Sequence, residues 1–128
     1  MTEHPNAALF REAMDAMSAQ ETDALAALVA DDIVYNQIGL PPIVGKAALI
    51  KSIEGYGDFD FEVAVHDVVA NDDHTVGLVT ATVKVGDQEF TYRTAEIMHI
   101  ADGQITERWA FSDDTEAINN FFGQFAEG

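Results

Sequence analysis

Six basic side chains stand against 23 acidic ones in this chain of 128 residues, so an arginine that can meet a single carboxylate inside an apolar stretch is a candidate for chemistry. Glu96 and Arg108 are such a pair. They lie on the two arms of a hairpin signalled by Ala101-Asp102-Gly103. A three-residue turn with Gly103 in the left-handed region pairs Ile100 with Gln104 and sets Glu96 opposite Arg108, whereas a two-residue turn sets Glu96 opposite Trp109. In the first register the carboxylate and guanidinium can orient a polar substrate or hold a proton-transfer group in one state, or serve only as a structural ion pair. Tyr35 and Gln37 share one face of a strand with Ile33, and a phenol and an amide there can bind a carbonyl or hydroxyl. Tyr35 alternatively reads as a core aromatic with its hydroxyl at the rim.

Other chemistries lose their residues. With no cysteine, disulfides, thiolate nucleophiles and cysteine zinc sites are excluded. The histidines at 4, 66, 74 and 99 have no metal-ligand spacing, and the doublets Asp31-Asp32, Asp72-Asp73 and Asp113-Asp114 lack the ligand series of a calcium loop, so no metal and no cofactor are expected.

The elements that must position these groups follow from periodicity. Phe10, Met14 and Met17 recur at helical spacing from Asn6 to Ser18, with Pro5 suiting the first turn. A second helix is expected from Thr22 or Asp23 to Ala30 with Thr22 as cap, then a strand Ile33–Ile38, a loop punctuated by Gly39, Pro41, Pro42 and Gly45, and a third helix from Lys46 to Glu54 closed by Gly55. Beyond Gly57 the period becomes two. Turn signals at Asn71–His74, Gly86–Gln88 and Asp102-Gly103 divide residues 59 to 113 into four antiparallel strands. A short helix from Asp114 to about Phe122, capped by Asp113 or Asp114, ends the chain. The expectation is one α+β domain, 1–128, with helices on one face of a curved antiparallel sheet.

This order, with Val29-Ala30-Asp31-Asp32-Ile33-Val34-Tyr35 after the second helix and Ala101-Asp102-Gly103-Gln104-Ile105-Thr106-Glu107-Arg108-Trp109 in the last hairpin, resembles the nuclear transport factor 2-like superfamily. Within it, the chain is similar to SnoaL-like polyketide cyclases, ketosteroid isomerases and limonene-epoxide hydrolases. The resemblance implies a cone in which the sheet wraps around three helices and encloses an apolar pocket, often in a homodimer. It favours the register that sets Glu96 opposite Arg108, with Thr94, Met98, Thr106, Ala110 and Ser112 on the same face and Ala95, Ile97, His99, Glu107, Trp109 and Phe111 on the other. It also implies that Glu96 takes the place of the isomerase's oxyanion-binding acid. The isomerase's base falls at Gln37 and its tyrosine at Ala13; the hydrolases' last-strand carboxylate falls at Ala110, and their arginine-aspartate pair has no counterpart in Thr80–Lys84. None of the familiar reactions keeps its full set of residues.

The expected site therefore has Glu96, Arg108 and Tyr35 as catalytic groups and Gln37, Met14, Phe10, Thr94, Met98, Tyr92 and Ser112 as the ligand wall. The expected activity is cofactor-free acid-base chemistry of isomerase, cyclase or hydratase type on an apolar small molecule. The alternative is a non-catalytic ligand-binding or dimeric interaction module. A net charge of −17 speaks against nucleic acid and anionic membranes as partners. The start of the chain lacks the pattern of a signal peptide, and a cytoplasmic protein is expected. Trp109 and Phe111, on the face opposite Glu96, suit contact between two copies.

Overall fold

The first helix, α1 (Pro5–Ser18), starts where the sequence places it: Pro5 occupies the first turn and the His4 ring accepts a hydrogen bond from the Asn6 amide at 3.0 Å. The structure, a computed structural model, describes residues 3–125, so the outermost residues of the expected 1–128 domain lie outside the described residues. α1 buries Ala7, Phe10, Ala13 and Met14 and ends in a turn in which Gln20 N–H donates to Met17 O and Glu21 N–H to Ala16 O. That closure puts Gln20 at φ 56°, a region glycine enters freely and other residues enter at a cost of roughly 1 kcal/mol.

α2 (Thr22–Leu28) is shorter than its apolar pattern suggests. Val29 and Ala30, expected in the helix, open β1 (Val29–Tyr35) because pairing with the sheet buries both. Thr22 is not the cap; Glu21 holds that position without a side-chain bond. The strand stops at Tyr35 rather than Ile38, and the punctuated loop contains a further strand, β2 (Ile43–Val44), paired with Val34 and Tyr35. α3 (Lys46–Glu54) follows as expected. Then come β3 (Asp60–Ala70), β4 (Thr75–Val85), β5 (Gln88–Ala101) and β6 (Gln104–Ser112). The last helix, α4 (Thr115–Gly123), is capped by the Asp114 carboxylate, which accepts from Ala117 N–H at 3.0 Å.

The six strands run in the order β2-β1-β6-β5-β4-β3, and the helices cover one face of this cone. One expectation is corrected: the sheet is mixed, since β1 runs parallel to β6. Hairpin turns dictate antiparallel pairing only between consecutive strands, and nothing local constrains a strand that meets its neighbour from more than 60 positions away. The core lies between α1, α3 and the inner sheet face, built from Phe10, Leu25, Val29, Ile33, Leu49, Val79, Met98 and Ile105 among others.

Both hairpin registers considered from sequence are replaced by a third. The last turn has two residues, Asp102 (φ 53°) and Gly103 (φ 76°), so Ala101 pairs with Gln104 and Ile100 with Ile105. Continued, that register would bring Glu96 opposite Trp109 and expel Arg108 to the outer face. An irregularity after Ile105 absorbs Thr106, whose hydroxyl donates to His99 O at 3.2 Å. Beyond it His99 pairs with Glu107, Met98 with Arg108 and Glu96 with Ala110. The bulge restores the parity that the short turn reverses. Arg108 thus shares the inner face with Glu96, two residues along the strand instead of directly opposite.

Candidate active site

Glu96 and Arg108 are both buried, at 4% and 7% exposure, and no other charged side chain among the described residues is. Arg108 Nε donates to Glu96 Oε1 at 2.8 Å and Nη2 donates to Oε2 at 2.9 Å; the Thr94 hydroxyl adds a third bond to Oε2 at 2.9 Å. Nη1 donates to the Asn36 carbonyl at 2.9 Å. Asn36 grips Arg108 from the other side as well, with its backbone N–H and its side-chain amide both donating to Arg108 O, at 2.9 and 3.1 Å. The parallel junction of β1 and β6 thereby fixes Arg108 both at its backbone carbonyl and at its guanidinium. Over its flat face lies the Tyr35 ring, 4.3 Å from Cζ, a cation–π arrangement that also walls the charge from water.

Electrostatics follow from this enclosure. Burial pushes the Tyr35 phenol above its ordinary value, against the opposing pull of Arg108. Burial likewise pushes Tyr92 up, reinforced by Tyr35 and Glu96. For Arg108 burial acts downward, but Tyr35 and the charge and hydrogen bonds of Glu96 outweigh it, so its pKa rises and it stays cationic. At neutral pH the site is a neutral ion pair flanked by neutral phenols.

This group forms one wall of a cavity of about 220 Å³ between the sheet, α1, α3 and α4. Of the residues expected there, Tyr35, Glu96, Arg108, Met14, Gln37, Thr94 and Tyr92 line it. Three do not. Phe10, fully buried, presses its ring onto Gly77, occupying the space a Cβ would fill; Gly77 pairs with Glu96, so this ring supports the strand behind the carboxylate rather than the cavity. Met98, 2% exposed, belongs to the core beside it. Ser112 turns to the entry of α4, where its hydroxyl accepts from Asp114 N–H at 3.1 Å. Gln37 is also tied down, its amide donating to Pro41 O at 2.7 Å.

Sequence reasoning left out the opposite wall. Tyr56, Phe61 and Phe122 join Tyr92 in an aromatic rim, with ring centroids 6.0 to 6.4 Å apart between neighbours. Phe61 was legible from the alternation of β3. Gln20, which also lines the cavity, gave no signal, because nothing local marks the turn after α1 as part of a site. The lining residues include one carboxylate, Glu96, and one strong base, Arg108, and no histidine.

Residues 10–108 match the SnoaL-like domain family, so the chain belongs to that nuclear transport factor 2-like family. The fold is shared with an LEH-like epoxide hydrolase of M. tuberculosis, 19% identical over 94% of this chain and 92% of that one, with a TM-score of 0.82. It is shared with an NTF2-like protein of unknown function from Burkholderia pseudomallei, 16% identical over 92% and 97%, TM-score 0.79. A third is a protein provisionally named a ketosteroid isomerase from Kribbella flavida, 20% identical over 84% and 77%, TM-score 0.71. At these identities the likeness is one of fold. No curated protein matches the sequence.

Proposed function

We propose that the protein is a small-molecule enzyme of the isomerase, cyclase or hydratase type, acting without a cofactor on an apolar, uncharged substrate that carries a carbonyl, hydroxyl or epoxide oxygen. The observation that carries this reading is the buried Glu96–Arg108 pair in the wall of an apolar cavity. Three donors hold the Glu96 oxygens in one orientation, where the carboxylate neutralises the guanidinium and is the one group of the wall suited to take a proton from carbon or from water. Among the described residues, one Nη1 N–H of Arg108 has no partner and the hydroxyls of Tyr35 and Tyr92 make no hydrogen bond. Together these donors fit a substrate oxygen on which negative charge develops, in surroundings where such interactions are strong. Tyr35, kept protonated by burial, is the group placed to give a proton. Relatives described as an epoxide hydrolase and, provisionally, a ketosteroid isomerase act at such oxygens, which supports the substrate class.

A panel of neutral cyclic ketones and epoxides tests this. Deuterium entering next to the carbonyl from D2O, or labelled water oxygen entering a diol, is the expected result, abolished in Arg108→Met. Binding of the panel without either reaction would favour the second reading, a ligand-binding module, which the three donors already on the Glu96 carboxylate and the lack of a second carboxylate or a histidine among the lining residues support. In either case we assign the protein as a homodimer through the outer sheet face.

A further inference from the structure

Gln20 occupies a position where its backbone favours glycine. It is the residue after the last turn of α1, its φ is 56°, and both hydrogen bonds of the glycine-type helix ending, Gln20 N–H to Met17 O at 3.1 Å and Glu21 N–H to Ala16 O at 2.9 Å, are in place. A side chain is retained at that point despite the conformation it imposes, and the side chain has a defined task. Its Nε2 donates to Tyr56 O at 2.6 Å and to Phe59 O at 3.3 Å. These two carbonyls belong to the turn between α3 and β3, in which Phe59 N–H also donates to Tyr56 O at 2.9 Å.

That turn carries Tyr56 of the aromatic rim and leads directly into Phe61. The Tyr56 ring meets Phe59 edge-on at 5.2 Å and Phe61 and Phe122 at 6.1 and 6.0 Å, while Phe59 stacks with Phe122 at 6.2 Å. Among the described residues α4 makes no hydrogen bond to any other element, so packing holds it over the cavity: Phe121 stacks on Phe90 of β5 at one end, and Phe122 rests on Tyr56 and Phe59 at the other. A clip on the 56–59 turn thus reaches α4 through the rings. Gln20 itself lines the cavity.

We infer that Gln20 is a positioning residue of the ligand cavity: its amide clips the Tyr56–Phe59 turn so that the aromatic rim and α4 keep their place, and a left-handed backbone is tolerated for that purpose. The inference rests on the reading of this cavity as a ligand site, and it concerns a residue whose amide bonds the 56–59 turn and not the Glu96–Arg108 pair. A role confined to ending α1 would favour glycine there; the amide contacts point to the rim.

Gln20→Gly separates the two roles, since it suits the backbone and removes the clip. Hydrogen exchange is expected to quicken about tenfold at amides of 56–61 and 115–123, while melting temperature holds or rises. Gln20→Asn, which tolerates the backbone but is one methylene too short to reach both carbonyls, should loosen the same segments. Titration with 2-naphthol, a neutral two-ring phenol followed by its own fluorescence, should show at least fivefold weaker binding in both variants. Rim amides as protected as in the parent chain, a loosening spread evenly over the molecule with a lower melting temperature, or unchanged naphthol affinity would each overturn the inference. Failure of the parent chain to bind naphthol would strike the reading of the cavity instead, and the exchange pattern would still decide whether Gln20 holds the rim.

Discussion

A guanidinium and a carboxylate removed from water stabilise a fold only while each keeps the other, because the desolvation of both is offset by one set of bonds. Glu96 has three donors and Arg108 an extra anchor at Asn36 O, so losing one partner strands the other. Glu96→Gln is expected to lower the unfolding free energy in urea by about 3 kcal/mol, with Glu96→Gln/Arg108→Met losing clearly less than the sum of the single variants. Strict additivity would mean the two charges do not stabilise each other. The phenols make a second residue-scale prediction. Tyr35 and Tyr92 have raised pKa values in the fold, so their contribution is intact below the unfolded value near 10 and is lost as pH climbs through the folded values. Stability should therefore fall from about pH 10 upward, and Tyr92→Phe should flatten that fall in melts recorded across the alkaline range while changing little at pH 7.

At the scale of elements, the last hairpin shows how two local irregularities compensate. The two-residue turn at Asp102-Gly103 shifts β6 by one position, the Thr106 bulge shifts it by one more, and only the sum leaves Arg108 inside. The neighbouring strand has its own device. Gly77 on β4 lets the Phe10 ring of α1 settle against the backbone beside Glu96, which sets how closely helix and sheet approach. Gly77→Ala drives a methyl into that ring and should destabilise by about 2 kcal/mol by the usual cost of overpacking a core. Chemical denaturation measures this directly; a cost near zero would show that α1 is free to shift.

For the whole molecule, charge and exposed apolar surface pull in opposite directions. Across the outer sheet face Val69 pairs with Val76, Val76 with Ile97 and Ile97 with Trp109, while Leu78 pairs with Ala95 and Ala95 with Phe111. Val69 and Phe111 are 68% and 62% exposed, an apolar band that suits a second copy. Two copies at −17 each repel, and salt screens that repulsion. Sedimentation should show a dimer that tightens from low to high salt and is weakened by Phe111→Lys. A monomer at every salt concentration would leave the outer face without the assigned partner.

Apart from β2, the order of helices, strands and turns was legible in the residues, because periodicity and turn chemistry are local: α3 runs over its expected residues, Asp114 caps α4, and the even spacing of Thr94, Glu96 and Met98 marks a buried face. The sequence also singled out Glu96 and Arg108, since a scarce arginine and an acid within apolar strands leave few partners to choose from. Parity and distance were settled by folding wherever they are set non-locally. A bulge is invisible in residue types, so the pairing of Glu96 with Ala110 was not legible. The parallel contact of β1 with β6, and with it the hold of Asn36 on Arg108, joins segments no turn connects. Ser112 carries the right parity but is drawn to the cap of α4, and Phe10 and Met98 have the right polarity but face packed neighbours instead of the cavity. Gln20 reached the site through a helix ending and two backbone carbonyls more than 30 positions away, contacts that exist only once α1, α3 and the sheet have closed around the cavity.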